Sequence, residues 1–287
     1  MARKPTNIAA SVRQRLLNLA RTEGRDFQTL LVAFGLERLI YRLSKSAHRD
    51  RFVLKGGMLV TLWTTDPGRF TRDIDFLAFG ETDDATLTSI FAEILSPDAG
   101  DGLEFSIDTI ATTDIREDQV YGGKRLRTVA HLGKTEIPIT VDLGFGDALP
   151  DPQYEIEYGS ILDFQPARIR AYSPATVIAE KFQAVVALGL INGRMKDFYD
   201  LWAIPKATEI DLAELSAAIS ATFERRNTPV PMDVPQGLST AFADDPAKAR
   251  QWLTYADGTE LKGVPLSTVL GDIWEYLRTA VDVPKSG

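Results

Sequence analysis

The sequence contains no cysteine and only two histidines among its 287 residues. The absence of cysteine excludes disulfide bonds, thiolate zinc sites and cysteine nucleophiles. The two histidines, His48 and His131, lie far apart in the sequence, so the sequence offers little support for a histidine-based zinc site or a Ser-His-Asp triad. Chemistry carried out by this chain must therefore depend mainly on its carboxylates, its basic side chains and its backbone.

Long apolar runs are also missing. The longest one, residues 184–191, is interrupted by Gly189 and is far shorter than the roughly 20 residues that a membrane-spanning helix needs. The first 17 residues lack the apolar segment of a secretory signal peptide. An apolar content of 44% and a charged content of 25% are ordinary for globular proteins. These features predict a cytoplasmic protein without a membrane span.

Acidic residues outnumber basic ones by 40 to 32, which gives a net charge of −8. This balance argues against indiscriminate coating of nucleic acid. RNA as a substrate stays open, because local patches matter more than the sum of charges. The best-placed basic clusters fall within residues 45–55 and 124–127, on either side of the motif described next.

The most informative stretch, residues 52–79, places a glycine pair close to two alternating aspartates. Apolar residues lead to Lys55, and the pair Gly56-Gly57 then precedes a short predicted helix. Glycine lets the backbone approach a ligand closely, so the N–H groups of this pair are suited to phosphate oxygens. The pair therefore indicates a nucleotide phosphate site.

A predicted strand over residues 71–79 carries both aspartates. Side chains alternate between the two faces of a strand, so Thr71, Asp73 and Asp75 share one face. Mg²⁺ is usually held by one or two carboxylates, with water and phosphate oxygens completing its shell. The combination predicts a site for a nucleotide with Mg²⁺ or Mn²⁺. Each motif alone has a plainer interpretation, as a simple turn or an exposed acidic strand face.

A second informative stretch covers residues 173–202, where Ser173 is a predicted helix cap. Lys181 falls on the apolar stripe of that helix. Because a buried ammonium without a partner is costly, we expect Lys181 to pair with the aspartate site or with a triphosphate. The alternative is that its long side chain reaches out to solvent.

The next predicted helix carries two acids on one face, Asp197 and Asp200, three residues apart. They are candidates for the same chemistry as Lys181. The alternative is a local ion pair between Lys196 and Asp200, which contributes only a few tenths of a kcal/mol. The residues alone leave both interpretations open.

Together these motifs resemble those of the AbiEii-type nucleotidyltransferases, the toxin halves of bacterial toxin–antitoxin pairs, which include the MenT toxins. The resemblance rests on the glycine pair with its short helix, then on the runs RFTRDIDF at residues 69–76, AEK at 179–181 and RMKDFYDL at 194–201. The general nucleotidyltransferase signature often has serine after the first glycine, where this sequence has Gly57. The AbiEii branch also uses Gly-Gly there.

The resemblance implies a metal-dependent transfer of nucleotides from an NTP to an RNA acceptor, with the tRNA 3′ end as the expected acceptor. It also implies arrest of translation and a cognate antitoxin protein as partner. Asp73 and Asp75 would bind the metal, and with Lys181 and Asp197 they form the expected catalytic set. The expected nucleotide-binding residues are Lys55, Gly56, Gly57, Thr71, Arg72 and Asp142.

Asp142 enters this set because polymerase-β-like enzymes, whose fold the AbiEii type shares, use a third carboxylate on a neighbouring strand. Residues 136–145 alternate as a strand that has apolar residues on one face and Asp142 on the other. The alternative is an exposed acid on an edge strand.

The predicted fold class is α+β, with a mixed β-sheet nucleotidyltransferase core flanked by helices and a helical C-terminal half. The expected domains are residues 1–160, with two helices before the β-rich core, and residues 161–287. Two other functions stay open. One is a nucleotidyltransferase that modifies a small molecule or a protein hydroxyl, and the other is a catalytically silent protein that binds a partner.

Overall fold

The computed structural model describes residues 7–115 and 122–281. Its helices are α1 (Ile8–Glu23), α2 (Phe27–Lys45), α3 (Gly57–Thr64), α4 (Asp84–Leu95), α5 (Pro174–Leu188), α6 (Met195–Ala207), α7 (Leu212–Arg225), α8 (Thr240–Ala243), α9 (Pro246–Ala256) and α10 (Leu266–Val281). Its strands are β1 (Phe52–Lys55), β2 (Ile74–Ala78), β3 (Leu103–Phe105), β4 (Ala111–Ile115), β5 (Gly123–Leu132), β6 (Thr135–Phe145), β7 (Glu155–Tyr158) and β8 (Ala167–Arg170).

The chain divides into two compact units. The first comprises residues 1–62, 70–146 and 153–171, and the second comprises residues 63–69, 147–152 and 172–287. The first unit contains the β-structure, and the second is built mainly from the helices α5 to α10.

The first unit is organised around a six-stranded sheet with the order β1-β2-β6-β5-β3, in which β4 also pairs with β5. The β2–β6 pair is parallel, and the other pairs of this sheet are antiparallel. This mixed sheet with flanking helices confirms the predicted α+β class. Strands β7 and β8 form a separate antiparallel pair.

Side-chain caps fix the start of several helices, including the helix for which the sequence predicts a cap at Ser173. Asp26, Asp83, Ser173 and Asp211 each accept a hydrogen bond from a backbone N–H in the first turn of the following helix. Such a cap satisfies one of the amides that have no partner within the helix.

Close packing of α2 on the sheet depends on Gly35. A Cβ at this position would lie 2.9 Å from Cδ1 of Ile139 on β6, so a larger residue would force that side chain to move. The same helix carries two buried arginines, Arg38 and Arg42, which both bind the fully buried carboxylate of Asp101. The two arginines are therefore buried together with a carboxylate partner rather than as isolated charges.

The strand predicted over residues 71–79 is shorter than expected. It begins only at Ile74, because the Thr71 hydroxyl bonds locally to Asp73 and the chain before Ile74 is irregular. Elsewhere in the sheet, a 3₁₀ turn at Ile107–Thr109 separates β3 from β4. Gly123 opens β5, and the preceding residues 116–121 lie outside the described part of the chain.

In the second unit, α5 is the central helix and packs against α6 and α7. Residues 174–191 are long and apolar enough to cross a membrane by length and composition, with a mean hydropathy of 1.4. However, 61% of this segment is buried within the fold. The core helix of a globular protein meets the same criterion, and α5 has that burial pattern.

Candidate active site

Four charged side chains form a row across four neighbouring strands of the first unit. In register, Lys55 of β1 is opposite Asp75 of β2, Asp75 is beside Asp142 of β6, and Asp142 is opposite Arg125 of β5. Residues opposite one another on adjacent strands share a face of the sheet. All four residues are half-buried. The sheet therefore carries two central carboxylates with a cation at each end.

The carboxylate of Asp142 is held by a two-pronged ion pair with Arg125. Arg125 donates from Nε to Asp142 Oδ1 at 2.7 Å and from Nη2 to Asp142 Oδ2 at 2.6 Å. The hydrogen bond to Asp142, together with its charge, raises the pKa of Arg125. Because β6 lies between β2 and β5 in the sheet, the alternative interpretation of Asp142 as an exposed acid on an edge strand is wrong.

Asp73 lies directly before β2 and is oriented by its neighbour. The Thr71 hydroxyl donates to Asp73 Oδ1 at 2.5 Å. Asp73 and Asp75 are both half-buried, while Ile74 between them is fully buried in the core. Burial of Ile74 thus fixes the backbone that carries the two acids.

The glycine pair lies at the turn between β1 and α3. Gly56 has a φ of +70°, which L side chains rarely adopt. A Cβ at Gly56 would collide with Asp75 Oδ2, so the backbone of the glycine turn touches the second aspartate directly. Gly57 is the first residue of α3, whose first-turn amides have no partner within the helix. These amides and the positive end of the helix dipole form an arrangement suited to phosphate.

Arg72, another predicted nucleotide-binding residue, is exposed. Its guanidinium carbon lies 5.4 Å from the centre of the Phe70 ring, and the ring is itself 43% exposed. The structure thus places eight of the predicted site residues in the first unit: Lys55, Gly56, Gly57, Thr71, Arg72, Asp73, Asp75 and Asp142.

Lys181 and Asp197 lie together in the second unit. The Lys181 ammonium is 2.8 Å from Asp197 Oδ1 and 2.7 Å from Asp200 Oδ2, and both carboxylates are fully buried. Arg69 completes the cluster by binding Asp200 through Nε at 2.6 Å and Nη2 at 2.8 Å. The inward-facing lysine is therefore met by two acids of α6 rather than by solvent.

A fifth side chain of the cluster reaches the surface. Arg194, whose side chain is 50% exposed, binds Asp197 Oδ2 through Nε at 2.6 Å. The cluster thus contains three cations, Arg69, Lys181 and Arg194, and two carboxylates. It carries one excess positive charge.

The pKa values in the cluster follow from competition between burial and charge. Burial by itself raises the pKa of Asp200, but the nearby charges of Lys181 and Arg69 outweigh it and hold this pKa below its ordinary value. For Lys181, burial lowers the pKa, and the charges of Asp197 and Asp200 reverse that effect so that the net shift is upward. Both Asp200 and Lys181 therefore stay charged at neutral pH.

Four residues of these two clusters were not in the expected catalytic or nucleotide-binding sets: Arg69, Arg125, Arg194 and Asp200. Arg69, Arg194 and Asp200 lie within the motifs that carry the family resemblance, so the sequence did mark their positions. Arg125 carried only the signal of a basic cluster at residues 124–127. Its contact with Asp142 depends on the β5–β6 register, which sequence alone does not fix.

The residues at the glycine turn fit a bound divalent cation. Asp73 and Asp75 supply hard carboxylate oxygens, and the side-chain-free backbone of Gly56 lies directly against Asp75 Oδ2. Within residues 7–115 and 122–281, no group of three or more acidic or histidine side chains forms a metal cage. Two carboxylates, with phosphate oxygens and water, are the usual ligands of Mg²⁺.

Structural comparison supports the fold. The chain is similar to MenT4, a nucleotidyltransferase toxin from Mycobacterium tuberculosis, with a TM-score of 0.61, 18% sequence identity and coverage of 96% of this chain and 90% of that one. JHP933 from Helicobacter pylori matches with a TM-score of 0.48 and 16% identity, over 86% of this chain and 89% of that one. Comparison with curated proteins gives no significant sequence match.

The family comparison covers most of the chain. Residues 38–279 match the family model described as the nucleotidyl transferase AbiEii toxin of type IV toxin–antitoxin systems. This range includes the glycine turn, the charged row across the sheet and the buried Lys181 cluster. The chain is therefore a nucleotidyltransferase and belongs to the AbiEii toxin family.

Proposed function

We propose that this protein transfers nucleotides from an NTP to an RNA acceptor in a Mg²⁺-dependent reaction, with the tRNA 3′ end as the acceptor. The observation that carries the proposal is the direct contact between the glycine turn and Asp75, beside Asp73. It combines a backbone phosphate site with a pair of carboxylates. Family membership adds the class of reaction and implies an antitoxin as partner.

The site residues of the first unit have separate roles in the proposed reaction. The amides of Gly57 and of the first turn of α3 bind phosphate oxygens, and the left-handed backbone at Gly56 lets the chain pass Asp75. Asp73, oriented by the Thr71 hydroxyl, and Asp75 would hold Mg²⁺. A bound Mg²⁺ would neutralise charge on the phosphates and orient the attacking hydroxyl.

Positive charge near the site stabilises the leaving group of the reaction, pyrophosphate. Lys55 is in register with Asp75, and Arg72 lies next to Asp73 in the sequence. Either cation can balance the charge that develops on pyrophosphate as it leaves. Phosphoryl transfer depends on positioning and electrostatics more than on covalent help. A chain without cysteine and with two histidines is thus suited to this reaction.

Asp142 and the Lys181 cluster complete the proposal. Asp142 is the third carboxylate, and Arg125 holds it in place beside Asp75. Lys181 takes the role of a phosphate-contacting lysine and Asp197 that of its partner carboxylate. An ammonium has three N–H donors, and its two contacts with acids among the described residues leave one donor for a phosphate oxygen.

The biological outcome follows from the acceptor. A tRNA with added nucleotides at its 3′ end cannot be aminoacylated, so translation and growth would stop. Such an enzyme would act in the cytoplasm, where NTP and tRNA are available. The cognate antitoxin would keep this activity in check.

The direct test is a transfer assay with the purified protein, total tRNA, Mg²⁺ and each labelled NTP in turn. The inactive control is Asp73→Asn, which keeps the side-chain shape but removes the charge. The matched control is Asp108→Asn, an exposed acid in the same unit. We expect label at the tRNA 3′ end with the wild type and Asp108→Asn, and none with Asp73→Asn or with EDTA.

Other outcomes separate the remaining functions. Label in protein or in a small-molecule acceptor, with none in RNA, would replace the RNA acceptor but keep the transferase. Growth arrest that survives Asp73→Asn would instead favour a catalytically silent binding protein. Equal labelling of tRNA by the wild type and Asp73→Asn would refute the assigned site.

A further inference from the structure

The second unit contains an open basic groove between the start of α6 and one side of α9, with a volume of about 840 Å³. Its charged side chains are Arg194, Lys196 and Arg250, and its other lining residues are neutral. The groove lining contains three cations and no acid, so it is positively charged although the chain as a whole has a net charge of −8.

Two of these cations are exposed and form no close ion pair. Lys196 and Arg250 have no acidic side chain within salt-bridge distance among the described residues, and the electrostatic partner of Arg250, Asp245, lies outside the groove lining. Three cations along one groove without an acid in its lining produce a positive potential there, which attracts phosphate groups.

The groove has a fixed shape because its two walls are joined. The Lys248 ammonium of α9 donates to the backbone oxygen of Asn192, just before α6, at 2.7 Å. The ring of Tyr255 on α9 packs against that of Tyr199 on α6, with centroids 6.2 Å apart. The cations are therefore held on a preformed surface.

The uncharged part of the lining is also suited to a polynucleotide. Gln251 is exposed and can donate hydrogen bonds, and the exposed Thr254 hydroxyl, which donates to the Arg250 backbone oxygen at 3.0 Å, can accept one. The buried hydroxyl of Tyr255, also in the lining, has no hydrogen-bond partner within the described residues. Grooves for single-stranded nucleic acid combine such polar and aromatic groups with cations that follow the backbone.

One residue links the groove to the candidate catalytic groups. Arg194 lines the groove and at the same time binds the buried carboxylate of Asp197. A strand that lies in the groove would thus pass beside the cluster that contains Lys181.

We infer that this groove binds the phosphodiester backbone of a single-stranded RNA, the acceptor strand of the transfer reaction. The inference rests on the proposed function, because it supplies the acceptor site for that reaction. The triphosphate of the NTP binds elsewhere, at the glycine turn. Lys196 and Arg250 contact successive phosphates of the strand and contribute affinity without reading its sequence.

The test measures binding of a fluorescent 12-nucleotide single-stranded RNA by anisotropy, without NTP or Mg²⁺, at 50 and 200 mM salt. The variant is Lys196→Gln/Arg250→Gln, whose two positions are exposed. The control is Lys134→Gln/Arg278→Gln, which removes the same charge from exposed positions outside the groove. Thermal unfolding of both variants verifies that each is folded.

We expect the groove variant to bind the RNA about tenfold more weakly at 50 mM salt, and the control to bind like the wild type. The logarithm of the RNA association constant falls as the logarithm of the salt concentration rises, with a slope of about −0.7 per phosphate contact for single strands. Loss of two contacts should therefore make this slope less negative by about 1.4. Between 50 and 200 mM salt, the wild type should then lose about sevenfold more affinity than the groove variant.

Two results would overturn the inference. One is an RNA affinity and salt slope of the groove variant equal to those of the control. The other is loss of NTP binding in the groove variant with RNA binding unchanged, which would make the groove a nucleotide site. Failure of the proposed function looks different, because then no variant transfers label to RNA although the groove variant still binds RNA more weakly than the control.

Discussion

Gly56 and Asp75 are in such close contact that no side chain fits at position 56. A Cβ there would collide with Asp75 Oδ2 and would lie 2.8 Å from Asp75 Cβ. The glycine turn and the carboxylate of Asp75 are thus one structural unit. Any change at Gly56 displaces Asp75 directly, in addition to straining a backbone with a φ of +70°.

Gly56→Ala should therefore reduce nucleotidyl transfer at least 100-fold. The matched control is Gly100→Ala, because Gly100 has nearly the same φ, +67°, but nothing lies within 4 Å of its added Cβ. The control should lose about 1 kcal/mol of stability from backbone strain and keep its activity. Measurement of the transfer rate and of urea unfolding tests both. Equal loss of activity in the two variants would mean that strain, not the contact with Asp75, is responsible.

The Thr71 hydroxyl should matter because it orients Asp73. Thr71→Val removes the 2.5 Å hydrogen bond to Asp73 Oδ1 but keeps the side-chain shape. We expect the transfer rate to fall about 10- to 100-fold and the Mg²⁺ concentration for half-maximal activity to rise. Thr71→Ser, which restores the hydroxyl, should recover most of both. A Thr71→Val enzyme with an unchanged Mg²⁺ requirement would contradict this role.

The ion pair between Arg125 and Asp142 can be measured by a double-mutant cycle. Arg125→Met leaves Asp142 next to Asp75 in the sheet without its cation, and Asp142→Asn removes the charge that Arg125 binds. Because the pair is two-pronged but partly exposed, we expect a coupling free energy of about 1–2 kcal/mol in urea unfolding. A coupling energy near zero would show that Asp142 is held by the strand backbone alone.

The buried cluster around Asp200 predicts how stability depends on pH. Lys181 and Arg69 depress the pKa of Asp200 despite its burial, so its stabilising contribution is complete above its unfolded pKa, about 3.9. That contribution is lost as the pH falls through the lower, folded-state pKa. Asp200→Asn should therefore cost about 3–5 kcal/mol at pH 7, since it breaks buried ion pairs, and progressively less below about pH 4.

The measurement is the free energy of unfolding in urea at several pH values between 3 and 7. Asp257→Asn is the matched control, because the pair of Asp257 with Lys262 is exposed on both sides and should contribute at most about 1 kcal/mol. A difference between wild type and Asp200→Asn that stays constant down to pH 3 would show that the carboxylate charge is not what stabilises the cluster.

The sequence determined the local parts of this protein. Helix caps such as Asp26 and Ser173 mark their own helix starts, and the alternation in β6 assigned Asp142 to the polar face, because these patterns depend on neighbours in the chain. The glycine pair and the alternating acids were likewise readable, since both lie within residues 52–79. They were sufficient to predict the α+β class and the family, which the structural and family comparisons confirm.

Only the tertiary structure decided which distant residues meet. Arg125 reaches Asp142 because strands β5 and β6 pair in one particular register, and a shift of one residue would turn it to the other face. Arg69 and Asp200 are 131 positions apart in the chain, and their contact depends on how the helices of the second unit pack. Local pattern carries no information on such pairings, because the free energy that selects them comes from burial and charge across the whole fold.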